Sequence, residues 1–372
     1  MATTTEPTRP SQSVGPERTM GRKVFLLVMT LLAAFILWQG FVFLRDTKGP
    51  QWVNALIAMV WGVGGMLILF YIASQWVEQL SPQWQKRATP WVFVGPAVAL
   101  LLWYLVIPVI RTLIFSFMDA KSQNFVGLDN YAYAFTNSAM REAFGNNVLW
   151  LLFGTGLSVI MGLLIAVLLD RTNAKYEILV KSLIFLPMAI SFVGAGVIWK
   201  FMYDFRPAGA EQIGFMNAIV TGLGGQPQPF LQIRVVNTFF LILILVWLQT
   251  GYCMVIQSAA IKGVPADLLE AGRIDGANEA QIFFQILIPT IRGTIITVAT
   301  TVLILTLKVF DIVFTMTGGN FGTEVIANQF YAQMFRSFQT GRGAAIAMVL
   351  LIATIPIIYY NLRQARMRQE GF

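Results

Sequence analysis

Long apolar stretches alternate with short polar ones along the chain. A helix needs about 20 apolar residues to cross the hydrocarbon core of a bilayer, because each residue advances it by about 1.5 Å. Eight stretches reach that length, and the pattern therefore predicts an all-α fold with eight membrane-spanning helices. The predicted spans are 24–44, 53–73, 91–111, 148–169, 182–202, 235–257, 294–315 and 343–361.

The composition also indicates a polytopic membrane protein. Of the 372 residues, 56% are hydrophobic and 12% are charged, and the mean hydropathy of +0.67 lies outside the balance of a water-soluble domain. The sequence has no histidine and a single cysteine, Cys253. This excludes His-ligated metal sites, Ser-His-Asp hydrolysis and an intramolecular disulfide. We therefore expect no cofactor.

The same patterns divide the chain into four segments. Residues 1–23 are rich in Thr, Pro and Ser and predict a disordered tail. Residues 24–90 hold the first two spans, residues 91–362 hold the other six, and residues 363–372 form a second polar tail.

The distribution of Lys and Arg predicts which side of the membrane each loop faces. With eight spans, both termini share a side with the even-numbered loops. This side holds 15 of the 26 basic residues, whereas the odd-numbered loops hold 8. Because basic residues near span ends are retained in the cytoplasm, we expect both termini to be cytoplasmic. The net charge of +8 then matches contact with lipid headgroups and not with nucleic acid.

A charged segment, residues 265–289, interrupts the apolar pattern on this cytoplasmic side. The dipeptide Val264-Pro265 favours a helix start, and acidic residues follow it at the positive end of the helix dipole. Gly276 favours the left-handed conformation that ends a helix. Asn278 and Gln281 have the spacing of a capping box for a second helix over 279–287, which Pro289 would stop. The segment thus predicts two short helices, neither able to span a membrane.

The loop over 204–234 lies on the opposite side and contains DFRPAGAEQIGFMNAIVTGLGGQPQPF. Between its glycine and proline breakers, apolar and polar residues alternate at helical spacing. We expect a short interfacial helix over about 211–223.

The charged segment resembles the coupling motif of binding-protein-dependent ABC transporter permeases. The matching string is EAGRIDGANEAQIFFQILIP, and Asp275-Gly276-Ala277 is typical of the sugar-importing branch. Gly272 stands where this family usually has alanine, and Ile288 where it has leucine. The residues that carry the match to the coupling motif are Glu270, Ala271, Asp275, Gly276, Ala277, Ile286 and Pro289.

Further segments are similar to the same family in the same order. They are FVGLDNYAYAF, GLLIAVLLD, FLPMAISFVGAGVIWKFMYDF, and FDIVFTMTGG followed by TEVIANQFY. Together the matches extend over roughly 90–362 and look most like the maltose-transporter type, in particular the α-glucoside permeases. The first two spans lie outside this six-span core.

The resemblance implies one half of an ATP-driven sugar importer in a bacterial cytoplasmic membrane. Its expected partners are a second permease subunit, a dimer of ATP-binding-cassette ATPases and an extracytoplasmic solute-binding protein. The substrate is expected to be an α-glucoside or a similar disaccharide or oligosaccharide. The chain has no GxxxxGK[ST] phosphate loop, so the ATPase has to be a separate protein.

Lys308 and Asp311 are ionisable residues in the seventh predicted span. On a continuous helix they share one face with Thr301, Ile304 and Thr315. Ionisable groups at membrane depth usually face a cavity or a partner. Two interpretations stay open, because the pair either neutralises itself near the end of the span or lines a path for sugar hydroxyl groups.

The sixth predicted span holds weaker candidates for the same path. Polar side chains are present at Asn237, Gln249 and Gln257. Trp247 and Tyr252 carry rings of the kind that stack on a pyranose, although aromatic residues in spans more often serve packing.

Two other functional classes compete with the importer. A membrane glycosyl transferase needs an acidic catalytic loop, but Asp119, Asp129 and Asp204 are isolated among turn residues. An ion-coupled secondary transporter usually has intramembrane carboxylates, and Asp311 is the one acidic residue clearly within a predicted span. Neither alternative gives the charged segment a role.

Overall fold

The structure, a computed structural model, describes residues 20–170 and 172–370, with side chains up to residue 363. Most of the predicted disordered tail over 1–23, as well as Arg171 and residues 371–372, lies outside the described residues. Residues 363–370, expected as a polar tail, continue the last helix. The chain forms two compact units, which divide between Val109 and Ile110.

The first unit is a set of long helices with a tight hairpin at its start. Gly40 packs against the indole of Trp61, where a Cβ would not fit. The hairpin is closed by an ion pair of 3.1 Å between Arg22 and Glu78. The helices are α1 (Met20–Asp46), α2 (Gln51–Glu78) and α3 (Pro82–Leu101), followed by a π-helical segment (Leu102–Val106). Helix α4 (Ile107–Phe115) contains the point at which the units divide.

The second unit is also built of helices joined by loops, and its described residues include one isolated bridge between Met118 and Phe125. Its first half contains α5 (Asp129–Thr136), α6 (Ser138–Leu149), a π-helical segment (Trp150–Thr155), α7 (Gly156–Asp170), α8 (Ala174–Phe185), a 3₁₀ turn (Leu186–Ala189), α9 (Phe192–Met202) and α10 (Phe215–Gly222). Its second half contains α11 (Val236–Lys262), α12 (Ala266–Ile274), α13 (Glu279–Gln281), a π-helical segment (Ile282–Leu287), α14 (Ile288–Leu307), α15 (Asp311–Met316), a 3₁₀ turn (Asn320–Gly322), α16 (Ile326–Tyr331), a π-helical segment (Ala332–Arg336) and α17 (Thr340–Glu370).

The predicted all-α membrane fold is confirmed. Among the described residues, seven helical stretches are long and apolar enough to cross a membrane, and there are up to eight when a bent pair is taken as one span. The seven are Met20–Asp46, Gln51–Glu78, Pro82–Phe115, Ser138–Asp170, Val236–Lys262, Glu279–Leu307 and Thr340–Arg363. The short helix expected over 211–223 is present as α10.

The fifth predicted span, 182–202, is wrong as a continuous helix. The chain bends by 102° between the segments Ala174–Ala189 and Phe192–Met202. Ile190 is extended, and the Ser191 hydroxyl accepts a hydrogen bond from the Gly194 N–H at 3.1 Å, so a new helix starts there. An N-capping serine supplies a partner that the broken helix no longer provides.

The seventh predicted span, 294–315, is also wrong as a continuous helix. Helix α14 ends at Leu307, and α15 starts at Asp311 after a non-helical Phe310 with φ −141° and ψ −58°. The buried Asn147 amide donates to the Leu307 carbonyl at 3.0 Å and accepts from the Ile326 N–H at 2.9 Å. Asn147 therefore gives the Leu307 carbonyl at the break a hydrogen-bond donor and gives the first residue of α16 an acceptor.

Helix α11 is the central helix of the second unit. It is the most buried of the candidate spans among the described residues and packs against α7, α8, α14 and α15. Gly162 of α7 lies against Cys253 of α11, and Gly251 of α11 lies against the carbonyl of Ile184 in α8, so that neither glycine has room for a Cβ. Small residues let helix backbones touch, which strengthens packing within a membrane.

We expect Gly162→Ala to destabilise the protein by about 1–3 kcal/mol, because its methyl group would overlap the Cys253 region of α11. The matched control on the same helix is Gly156→Ala, where nothing lies within 4 Å of the added Cβ. The thermal unfolding midpoint of the purified protein in detergent should fall for the first variant only. Equal midpoints for both variants would contradict the close α7–α11 contact.

Candidate functional site

Helix α12 and the turn after it form a compact element between α11 and the next long helix. α12 starts after Pro265, as the sequence predicts. It ends at Ile274, and Gly276 in the turn that follows has φ +83°. The Gly276 N–H donates to the Arg273 carbonyl at 3.1 Å, and the Ala277 N–H donates to the Gly272 carbonyl at 3.0 Å. This is the hydrogen-bond pattern of a Schellman motif, and it needs the left-handed residue that glycine supplies.

The predicted capping box at Asn278 is confirmed. The Asn278 side chain accepts from the Gln281 N–H at 2.9 Å, and the Gln281 side chain accepts from the Asn278 N–H at 2.8 Å. Both ends of the α12 turn are thus fixed by local hydrogen bonds, which define its shape without a partner protein.

The second short helix predicted over 279–287 does not stop at Pro289. The helix runs without interruption from Glu279 to Leu307. A π-helical segment, Ile282–Leu287, directly precedes the proline. Its wider turn shifts the carbonyl groups that a proline ring would meet in a regular helix. The element is therefore one short helix, α12, which packs against the N-terminal part of the long helix Glu279–Leu307.

Side-chain contacts hold α12 onto that long helix. Gly272 is buried and lies so close to Ile286 that an added Cβ would be 2.5 Å from the Ile286 Cδ1 atom. Arg273 and Glu279 form an ion pair of 3.1 Å across the turn. Leu269 packs with residues of α7, α8, α11 and the π-helical segment in one apolar cluster. α12 thus belongs to an apolar cluster to which α7, α8, α11 and the π-helical segment also contribute.

The outward surface of α12 is available to a partner. Glu270, Ala271, Asp275 and Gly276, all predicted site residues, are exposed. Ile274 is 85% exposed and was not among the predicted site residues. The sequence signal for it is an aliphatic residue between the charged Arg273 and Asp275.

A cavity of about 540 Å³ lies beside α12. Its walls are mostly apolar, and Asp170, Arg273 and Glu279 are the charged residues among its lining. The other lining residues come from α7, α11, α12, α13 and the π-helical segment.

The break between α14 and α15 brings Lys308 and Asp311 to a second cavity, of about 210 Å³. Phe192 at the start of α9 and Leu245 of α11 line the same cavity. Among the described side chains, Lys308 and Asp311 do not form the local ion pair that one of the two interpretations required. The arrangement leaves an ammonium and a carboxylate at a cavity wall, where both can meet hydroxyl groups.

The predicted alignment of this pair with Thr301 and Thr315 is wrong, because the helix breaks between the two threonines. Thr301 lies on α14 and donates to the Thr297 carbonyl at 2.9 Å. Thr315 lies on α15 and packs against Gly196 of α9. Neither threonine is among the residues that line the cavity.

The weaker candidates on α11 are mostly buried. Asn237 donates to the Phe321 carbonyl at 2.9 Å, and Gln257 donates to the Val159 carbonyl at 3.3 Å, so both stabilise the fold. The Gln249 Oε1 atom has no hydrogen-bond partner among the described residues. Trp247 packs edge-on against Trp199, and Tyr252 is half-buried.

The loop after α15 carries a carboxyl group in a largely desolvated position. Burial raises the pKa of Glu324 above its usual range, and hydrogen bonds from Asn328, the Val325 N–H and Gln329 oppose this.

The described residues include no cluster of three or more His, Cys, Asp or Glu side chains suited to a metal ion.

Comparison with known proteins gives one family. The model of the binding-protein-dependent transport system inner membrane component matches residues 154–369. The chain is 56% identical to the osmoprotective compounds uptake permease protein GgtC of Synechocystis sp. over 279 residues, which cover 75% of this chain and 99% of the relative. It is 50% identical to the alpha-glucoside transport system permease protein AglF of Rhizobium meliloti over 335 residues, 86% of this chain and 99% of the relative.

A solved structure has the same fold. It is a chain of a bacterial alginate ABC transporter, determined in complex with an alginate pentasaccharide-bound periplasmic protein. The TM-score is 0.64 at 21% identity, and the match covers 76% of this chain and 96% of that chain.

We expect Gly276→Ala to loosen the α12 turn, because a left-handed conformation costs a residue with a Cβ about 1–2 kcal/mol. Amide hydrogen exchange over residues 266–281 should become about tenfold faster. The matched control, Gly272→Ala, should exchange as the native protein does, because only the flexible end of Ile286 has to move. Slower exchange in the Gly276 variant would refute the role of the turn.

Proposed function

Because the chain belongs to the family of binding-protein-dependent transport system inner membrane components, we propose that α12 is the element through which it receives the work of ATP hydrolysis. The chain is the permease subunit of an ABC importer and not an enzyme, and a separate ATPase hydrolyses ATP. A secondary transporter and a membrane glycosyl transferase are not favoured.

The observation that carries this proposal is the fixed, exposed turn at α12. A docking element has to keep its shape when force is applied, and α12 is closed by a Schellman motif, a capping box and the Arg273–Glu279 ion pair. It also has to present a surface, and the exposed Glu270 and Ile274 provide charge and an apolar tip. Preorganised elements bind partners without an ordering cost.

The partners follow from the same family. We propose a dimer of ATP-binding-cassette ATPases at α12, a second permease subunit beside this chain, and a solute-binding protein on the opposite side of the membrane. The last partner is supported by the alginate transporter, which was solved with its periplasmic protein bound.

The proposed location is the cytoplasmic, or inner, membrane of a bacterium, with both termini and α12 in the cytoplasm. The chain is a multi-pass membrane protein. The excess of Lys and Arg in the termini and even-numbered loops supports the orientation.

The proposed substrate is an α-glucoside or a similar small oligosaccharide. This class is supported by the alpha-glucoside permease of Rhizobium meliloti, to which the chain is 50% identical. The cavity at Lys308 and Asp311 supports a path for a neutral, hydroxyl-rich molecule, because both side chains can hydrogen-bond to hydroxyl groups. The sugar that stimulates ATP hydrolysis by the assembled complex, presented on its binding protein, identifies the substrate.

We expect Glu270→Ala to lower ATP-driven sugar uptake into proteoliposomes by about tenfold or more, since hydrogen bonds to a charged group contribute about 1.5–3 kcal/mol. The control is Glu211→Ala, an exposed glutamate in the loop before α10, which should leave uptake unchanged. Unimpaired uptake with Glu270→Ala would remove the coupling assignment, whereas the sugar assignment would stand.

We expect Lys308→Met and Asp311→Asn each to reduce uptake about tenfold while the complex still assembles, because a hydroxyl at the cavity wall would lose a charged hydrogen-bond partner. Asp129→Asn, at an exposed position in the first turn of α5, is the control. Uptake is measured with equal amounts of assembled complex. If both cavity variants transport normally, this cavity is not on the sugar path.

A further inference from the structure

Glu177 is a buried carboxylate outside both candidate sites. It lies in the first turn of α8 and is 6% exposed. Its carboxylate forms ion pairs with Lys181 and with Lys262, whose ammonium group is 2.8 Å from the carboxylate oxygens. Lys262 is in the last turn of α11, directly before the short loop to α12. The cluster therefore ties α8 to the residue that leads into α12.

The two lysines differ in what they connect. Lys181 is one turn further along α8 and reaches Glu177 from the same helix, whereas Lys262 reaches it from α11. A buried carboxylate that loses a partner is strongly unfavourable, so the pair between the helices resists separation. Only the contact with Lys262 restrains one helix relative to another.

Helix α8 also contributes to the apolar cluster at the base of α12. Val180 and Ile184 of α8 belong to the apolar cluster that seats Leu269 of α12 and Phe283 of the π-helical segment. The backbone of α8 touches α11 at Gly251. Charge, apolar packing and backbone contact thus join α8 to the base of α12.

At its other end the same stretch of chain reaches the second cavity. After α8 the chain bends by 102°. Phe192, the first residue of α9, lines the cavity with Lys308 and Asp311. One turn later, Gly196 packs against Thr315 of α15, with 3.0 Å between the Thr315 Cβ atom and an ideal Cβ placed on the glycine. α8 therefore contributes to the apolar cluster that contains Leu269 of α12, and α9 contributes to the cavity wall.

We propose that α8 and α9 connect α12 with the cavity at Lys308 and Asp311, and that Glu177 is the positioning residue that fastens this connection to α11 through Lys262. This rests on the proposed function, because it takes α12 as the docking element for the ATPase. Coupling between distant sites is carried by chains of packed side chains and ion pairs, and α8 and α9 provide such a contiguous chain from Glu177 to the cavity.

The test compares three charge-removing variants of the complete complex in proteoliposomes, with ATPase, second permease and sugar-loaded binding protein present. The readout is the number of sugar molecules imported per ATP hydrolysed. We expect Glu177→Gln and Lys262→Gln to lower this ratio about threefold or more, the size expected for residues on a coupling route. Lys181→Gln removes the other ammonium group that pairs with Glu177. Because Lys181 and Glu177 are both on α8, this variant should keep the native ratio.

A charge exchange provides the rescue. Glu177→Lys combined with Lys262→Glu, made together with Lys181→Gln so that the new lysine meets no like charge, should restore the ratio. An unchanged ratio in Lys262→Gln, or an equal loss in Lys181→Gln, would overturn the proposal. A loss of assembled complex at constant ratio would make Glu177 merely structural and would overturn it too.

A different result would contradict the proposed function. That result is a native complex whose rate of ATP hydrolysis does not change when the sugar-loaded binding protein is added. Where Glu177→Gln does not assemble, the half-exposed Lys262 carries the test by itself, because Glu177 keeps its ion pair with Lys181 when Lys262 is substituted.

Discussion

A membrane interior offers a peptide group no hydrogen-bond partner, so each break in a helix of this chain depends on partners that the chain itself supplies. Asn147 does this at the end of α14, where its amide serves Leu307 and Ile326 together. Ser191 does it at the start of α9. Residues at both breaks line the same cavity. The polar side chains that hydrogen-bond to the backbone at the breaks therefore stabilise the helix ends around this cavity.

Local sequence signals predicted the α12 turn well. Gly276, Asn278 and Gln281 act within a few residues of one another, so their spacing along the chain already contains the geometry of the Schellman motif and of the capping box. The same holds for the long apolar helices, whose length is set by the thickness of the bilayer. These features need no knowledge of the rest of the fold.

Features that depend on distant residues were not predictable in the same way. The sequence around Lys308 contains no local signal of a helix break, so the seventh span was predicted to be continuous. The break is stabilised by Asn147, which is 160 residues away from Leu307 in the sequence. Pro289 looked like a stop, because a π-helical segment before a proline has no sequence signature in the apolar pattern. The expected alignment of Thr301 with Asp311 failed for the first of these reasons. The break thus separates residues that the sequence placed on one face, whereas the local geometry of the α12 turn matches its prediction.

The tight contact between α7 and α11 has a practical consequence for studies of movement. Cys253 is the single cysteine of the sequence and is fully buried beneath Gly162. A thiol in that position is shielded from water-soluble maleimides and nitroxide reagents, because no reagent reaches it without separating the two helices. The native chain can thus serve as its own background for introduced spectroscopic labels, and labelling of Cys253 itself would report that α7 has come away from α11.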